Sequence, residues 1–291
     1  MGTVHIACAA DDRYAPHAAA MLRSALTETD REVAVHFLHG ERLSAPARDR
    51  LARMVERAGG EISFLEVPAS EVAGLPTRRL ADPSTWYRIL LPELLPELDR
   101  VLHLDSDVIV RESLGPLWET DLSGSYLAAV TNVFEPQHRG HPTDLGLAAE
   151  ADYFNAGVSL MNLEQMRRDD VTPALREYAL ANREICFFFD QEPLNVVLGE
   201  RRQVLHPRWN CMNSFFLFPW AGQVLGAAAL EEATRDPAIR HFEGPGANKP
   251  WHLLCEHPHR RLYGPHRRRT PWPLYRPDGF TARNLLRRLR P

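Results

Sequence analysis

A chain of 291 residues, 44% hydrophobic and 25% charged, has the make-up of a folded protein and the length to bury a sizeable core. That composition excludes a disordered, collagen-like or coiled-coil chain, and no apolar run approaches the roughly 20 residues needed to cross a bilayer. The net charge of −4 hides an asymmetry: residues 256–291 hold ten Arg against Glu256 and Asp278, a local +8, which leaves −12 over residues 1–255.

Val4–Ala9 is an apolar run that reads as a buried strand, followed by a turn at Asp11-Asp12-Arg13. The opening residues lack the basic and apolar regions of a signal peptide, and Cys8, Cys186, Cys211 and Cys255 lie far apart with no CxxC. Free thiols and a cytoplasmic protein are therefore expected. Residues 14–27 have helical spacing, 33–38 alternate as a strand, and Ser44 caps a helix that Gly59-Gly60 closes. A third strand is expected over 62–67, a helix over 86–95, and a strand at Arg100–Leu104 that runs into Asp105-Ser106-Asp107. Further strands are expected at 126–130 and 158–160, one long helix at 163–182 despite Pro173, and a short helix at Gln191–Leu198. Strands alternating with helices imply an α/β fold, with ligands at the C-terminal ends of the strands. From Pro265 onward Pro and Arg dominate, so one domain over 1–255 and a basic Pro/Arg-rich tail over 256–291 are expected.

Asp105 and Asp107, two residues apart where an apolar strand ends, both reach a point beyond the sheet edge. Two carboxylates there raise each other's pKa unless a cation lies between them, and a hard divalent ion carrying phosphate oxygens fits. The ordinary alternative is a solvated turn. Asp11 and Tyr14, after the first strand, suit a ribose and a base, or else cap the following helix. The run His241 to His252 offers a nitrogen ligand in His241, glycines at 244 and 246, and Lys249, the sole lysine among 34 basic residues. A compact ammonium among so many guanidiniums suggests a role beside a phosphate. Neither GxxxxGK[ST] nor a GxGxxG after the first strand is present, which disfavours a P-loop enzyme and a dinucleotide-dependent dehydrogenase.

Together the runs Ala9-Ala10-Asp11-Asp12-Arg13-Tyr14, Trp86-Tyr87-Arg88, Leu104-Asp105-Ser106-Asp107, Tyr153-Phe154-Asn155-Ala156-Gly157-Val158, Phe189-Asp190-Gln191-Glu192-Pro193-Leu194-Asn195, His241 and Gly244…Lys249-Pro250-Trp251-His252 resemble the family 8 glycosyltransferases. The resemblance covers residues 3 to about 255 and is of the bacterial lipooligosaccharide galactosyltransferase type, with glycogenin more distant. It implies a GT-A fold, with a Rossmann-like, mostly parallel central sheet flanked by helices. It also implies retaining transfer of a hexose (glucose or galactose) from a UDP-sugar to a hydroxyl of a carbohydrate, lipid-linked or other acceptor, with Mn²⁺ (or Mg²⁺) as cofactor. Carried over by position, Asp105, Asp107 and His241 would ligate the metal, and Ala9, Asp11 and Tyr14, with Ser106, would hold the nucleotide. Lys249 and Gly244 would bind the diphosphate, and Arg88, Asn155 and Asp190 would line the donor sugar. Gln191 would lie on the face of the anomeric carbon opposite the leaving group.

The chain departs from the family pattern at Arg13, at Asn132, and in a loop between His241 and Lys249 that is two residues longer and carries Glu243. Asn132 and the loop are expected on the acceptor side. Two other readings are a catalytically silent nucleotide-sugar-binding protein of the same fold and a sugar-1-phosphate nucleotidyltransferase. The latter should carry a Gly-rich loop after the first strand, where this chain has Ala9-Ala10-Asp11-Asp12. The tail mixes Arg267-Arg268-Arg269 and Arg287, Arg288 and Arg290 with Trp272, Leu274, Tyr275 and Phe280, which fits peripheral contact with an anionic membrane. An acidic body argues against a nucleic-acid partner.

Overall fold

The computed structural model describes residues 2–77, 83–274 and 276–289; of the tail residues singled out above, Tyr275 and Arg290 lie outside them. The strands are β1 (Val4–Ala9), β2 (Val33–His39), β3 (Glu61–Glu66), β4 (Arg100–Leu104), β5 (Val108–Val110), β6 (Leu127–Thr131), β7 (Phe154–Asn162), β8 (Arg202–Val204) and β9 (Ile239–His241). Seven form a central sheet in the order β3-β2-β1-β4-β7-β6-β8, while β5 and β9 pair as a separate ribbon. β1, β2, β3 and β4 run parallel, β6 pairs parallel with β8, and β7 runs against both β4 and β6. The sheet is thus mostly parallel and flanked by helices, as expected, with one reversed strand.

Period-two alternation divides the core between the two faces of the sheet. Val4, Ile6 and Cys8 of β1 and Leu102 and Leu104 of β4 pack against α1 (Ala15–Glu28) and α2 (Ala45–Arg57). Ala7 and Val101 face the other way, onto Trp86, Ile89, Leu163 and Leu175. Ser44 caps α2 by accepting the Ala47 N–H at 3.4 Å, as its position suggested. The helix expected over 86–95 is a 3-10 segment, Pro83–Leu90, continued by Leu91–Leu94. The long helix expected over 163–182 is two, Leu163–Arg168 and Val171–Ala181, broken where Asp170 takes a left-handed φ of 48°. β7 is far longer than 158–160. The four cysteines are buried and free.

Beyond residue 255 the chain returns to the body. Tyr263 is buried against Trp251 and α1, Arg267 and Thr270 are buried, and Trp272 packs against the α1/α2 core. The Leu253 N–H donates to the Asp278 carbonyl at 2.9 Å, and Asp278 N–H to the Trp251 carbonyl at 3.1 Å. The helix Ala282–Leu289 follows.

Candidate active site

Because β7 is antiparallel to β4, its N-terminal end meets the C-terminal end of β4, with Leu104 opposite Val158 and the Asp105 N–H donating to the Gly157 carbonyl at 2.8 Å. One edge of the sheet therefore gathers Ala9, Asp11, Asp105, Ser106, Asp107, Asn155 and Gly157. The β5–β9 ribbon then brings in a distant segment: Val108 pairs with His241, which sets the imidazole over the Asp105-Ser106-Asp107 turn. One ligand atom each from Asp105, Asp107 and His241 lie within 4.8 Å of one another. His241 Nε2 is 3.2 Å from Asp107 Oδ1 and 4.0 Å from Asp105 Oδ2.

A chain of amide hydrogen bonds fixes the imidazole. Gly157 N–H donates to Asn155 Oδ1 at 3.0 Å, and Asn210 Nδ2 donates to the same oxygen at 2.9 Å. The Asn210 carbonyl oxygen must then face His241 Nδ1, 2.9 Å away, so Nδ1 carries a proton and donates it. Nε2 is left for the carboxylates. Burial alone would lower the His241 pKa, but Asp107 outweighs it and draws a proton toward Nε2, the nitrogen that faces both carboxylates. Two carboxylates and one oriented imidazole are a donor set suited to a Mn²⁺-like ion. Gly157 makes room for it: a Cβ there would collide with His241 Cε1 and sit 2.7 Å from Asp105 Oδ2.

Lys249 ion-pairs with Asp107 and donates to the Phe242 carbonyl at 3.1 Å. Burial works to raise the Asp107 pKa, but Lys249 and His241 hold it well below the usual carboxylate range. The loop carrying Lys249 turns at Gly244, where φ is +84° and a side chain would strike Asn248. Glu243, expected toward an acceptor, is spent on the fold: its carboxylate accepts Asn213 N–H at 2.5 Å and Ser214 N–H at 2.8 Å.

Arg88, buried at the end of its 3-10 segment, ion-pairs with Asp190, lies 3.3 Å from Asp105 Oδ1 and donates to the Ala156 carbonyl. Burial pushes the Asp190 carboxyl up to about 7 against the pull of Arg88. The Gln191 oxygen accepts the Ala156 N–H at 3.0 Å while its NH₂ donates to Tyr153 at 3.2 Å, so both ends of that amide are held. Asn195 clamps the same helix to β7, exchanging hydrogen bonds with both backbone groups of Phe154 at 2.6 and 2.9 Å. Glu192, fully buried, accepts Phe188 N–H through both oxygens at 2.9 and 3.0 Å and pairs with His141 at 3.0 Å. That grip holds Phe189 at a φ of 62°, the left-handed turn that presents Asp190 and Gln191.

The residues expected to hold a nucleotide lie at and beside the end of β1. Ser106 donates its hydroxyl to the Ala9 carbonyl at 3.1 Å, tying β4 to β1. An Asp11 carboxylate oxygen accepts the Tyr14 N–H at 2.9 Å, bracing the turn before α1, whose N-cap is Tyr14 and not Asp11. Tyr14 meets Trp251 edge-on at 6.0 Å, and Trp251 stacks on His17 at 3.6 Å. The structure thus brings every candidate residue to one edge of the sheet. The supports Gly157, Tyr153, Glu192 and Asn195 stood inside the quoted runs without a role, and Asn210 had no signal at all.

A family profile described as Glycosyl transferase family 8 matches residues 5–255. General stress protein A of Bacillus subtilis (strain 168) is 29% identical over 276 residues, which span 92% of this chain and 94% of that one. The lipopolysaccharide 1,2-glucosyltransferase of Escherichia coli (strain K12) is 22% identical over 77% of this chain and 65% of its own. Among solved structures, the galactosyltransferase LgtC in complex with donor and acceptor sugar analogs superposes with a TM-score of 0.82 at 30% identity, covering 92% of this chain and 96% of that one.

Proposed function

Since the chain belongs to glycosyl transferase family 8 and has its GT-A fold, we propose that it moves a hexose from a UDP-sugar to an acceptor hydroxyl with retention at the anomeric carbon. The observation that carries this reading is the convergence of Asp105, Asp107 and His241 beside Lys249, with the Arg88–Asp190 pair adjoining. Asp105, Asp107 and His241 would hold Mn²⁺ or Mg²⁺, which when bound supplies positive charge to the departing diphosphate.

The other roles follow from what each group can do. Lys249, held at the pocket by the Phe242 carbonyl and with Gly244 opening its loop, gives the diphosphate a second positive charge. Ala9, Asp11, Tyr14 and Ser106 close the nucleotide end. Arg88, Asn155 and Asp190 orient sugar hydroxyls, and Asp190 faces the positive charge that develops on the ring. Gln191 is an amide with both ends hydrogen-bonded, a poor nucleophile, which favours attack on the same face as the leaving group over the double displacement of retaining hydrolases. In that route the acceptor oxygen bonds to the anomeric carbon as its bond to the UDP oxygen breaks, and the UDP oxygen takes the acceptor's proton.

No helix among the described residues is long and apolar enough to cross a membrane. We read the protein as cytoplasmic, with its C-terminal segment resting on an anionic membrane face. Support comes from the helix Ala282–Leu289 with Arg283, Arg287 and Arg288, and from the exposed Leu274, Phe280 and Leu286.

Release of free nucleotide from a panel of nucleotide sugars, with Mn²⁺ and then with excess EDTA, tests the reading. Mn²⁺-dependent release from one UDP-hexose, abolished in Asp107→Asn, is the expected result. Donor binding without release, even with mixed acceptors, would favour the silent binding protein. Formation of UDP-sugar from a sugar 1-phosphate and UTP would favour the nucleotidyltransferase.

A further inference from the structure

Away from the active site, α1, α2 and residues 269–271 border a half-open surface cavity of about 560 Å³ that transfer chemistry does not use. Five of its lining residues are arginines: Arg23, Arg50, Arg53, Arg57 and Arg269. It lies toward the edge where β2 and β3 begin, since α1 and α2 end there and the Gly60 position abuts Leu26 and the Val33 carbonyl. The metal-ligand triad lies at the other edge, where β1 and β4 finish.

Some arginines of this surface face an acid, as Arg31 does Glu119, Arg111 does Asp236 and Arg208 does Glu112. Around the cavity, among the described residues, no carboxylate is ion-paired with any of the five: Arg23 donates to the Thr27 hydroxyl and Arg50 lies 5.7 Å from the centre of the Trp272 ring. Five like charges around one concavity repel, and the potential they focus is relieved by an anion. His266 responds to the same field, its pKa lowered by burial and then by Arg23 and Arg269. Arg50, Arg53 and Arg57 follow i, i+3, i+7 spacing, so they form one stripe on α2 roughly 10 Å long, more than one phosphate can span. Guanidinium forks match phosphate oxygens in pairs. Leu26 and Met54 add an apolar floor.

We propose that this cavity is a second anion site, for a ligand bearing a diphosphate or a longer phosphate chain. The ligand is either a soluble oligophosphate or a lipid-borne diphosphate whose chain meets Leu26 and Met54. Because Arg269 and Pro271 form one wall, an occupant also fastens the C-terminal segment to α1 and α2.

Calorimetry in EDTA, with inorganic tripolyphosphate and with farnesyl diphosphate, tests this on the full-length protein. Affinity for at least one probe should fall tenfold or more in the triple variant Arg50→Gln, Arg53→Gln, Arg57→Gln, and about threefold in Arg53→Gln alone. It should hold in a charge-matched control, Arg168→Gln, Arg235→Gln, Arg261→Gln, and in Lys249→Met. Tighter binding of tripolyphosphate assigns a soluble ligand and tighter binding of farnesyl diphosphate a lipid-borne one; either supports the site. Probe-free melting confirms that the variants fold. Absence of binding, equal loss in the control, or loss confined to Lys249→Met would overturn the proposal.

Discussion

At the residue scale, the proposed metal-ligand triad of Asp105, Asp107 and His241 is positioned by Gly157 and Asn210, neither of which is itself proposed as a ligand. Gly157 is required for space rather than for backbone freedom. Gly157→Ala should leave β7 paired but displace His241 by about 1 Å, lowering metal-dependent turnover on the order of 100-fold. Mn²⁺ titration of nucleotide release, with circular dichroism as the fold control, measures it; undiminished turnover would remove His241 from the ligand set. Asn210 sets which imidazole nitrogen faces the carboxylates. Asn210→Leu should weaken Mn²⁺ affinity about 10- to 100-fold while kcat at saturating metal changes less. Equal loss in both would mean a general collapse of the site. The residues that converge here were legible as candidates, because an acid pair at a strand end, a lone lysine and a histidine in a Gly-rich loop break local pattern. Asn210 was not, since nothing in Trp209-Asn210-Cys211 says that its amide will be buried against a segment thirty residues on.

Elements show the same division. Strands ending in chemistry-bearing residues were readable from apolar runs, but β7 was read as three residues because Asn155 and Gly157 interrupt its hydrophobicity. Those interruptions are the positions that serve the site, so the pattern failed where function displaced it. The break at Asp170 was missed for another reason: 163–182 keeps its apolar spacing through it, and Pro173 is tolerated in the first turn of the second helix. On the helix Gln191–Leu198, Glu192 grips the turn that presents Asp190. Glu192→Gln keeps the shape but offers one acceptor oxygen to Phe188 N–H and His141, and should cost about 1–3 kcal/mol in chemical denaturation. A change under about 0.5 kcal/mol would mean that the turn holds itself. α1 meets the C-terminal segment through His17, which stacks on Trp251 and hydrogen-bonds Tyr263 at 2.6 Å. Burial, then Arg267 and Lys249, lower its pKa to about 3. Its unfolded value is higher, near 6.5, so the unfolded chain takes the proton first and stability falls as pH drops below about 6.5. From pH 7 to 5 that loss is about 2 kcal/mol, and His17→Gln should shrink the measured pH dependence by that amount. An unchanged slope would show that His17 is protonated in the folded protein.

At the scale of the whole molecule, 256–272 lean on the body, whereas Leu274, Phe280 and Leu286 are exposed and the last helix adds Arg283, Arg287 and Arg288. Truncation after residue 280 should therefore weaken flotation with phosphatidylglycerol vesicles several-fold yet leave donor hydrolysis within about twofold, as surface changes remote from the core do. Undiminished flotation would place the membrane contact elsewhere.

The β5–β9 ribbon has a kinetic consequence. Asp107 and Lys249 are 142 residues apart in the chain, and three residue pairs of that ribbon join their segments, outside the main sheet. All six ribbon residues are buried, and Val108, Val110 and Ile239 belong to the core that β1 and β4 share with α1 and α2, so the ribbon opens only when that core loosens. Hydrogen exchange at Ile239–His241 should therefore be as slow as in β1 and β4, and a metal held by the proposed triad would leave only through the same opening, so that core stability rather than ligand strength would set its residence time.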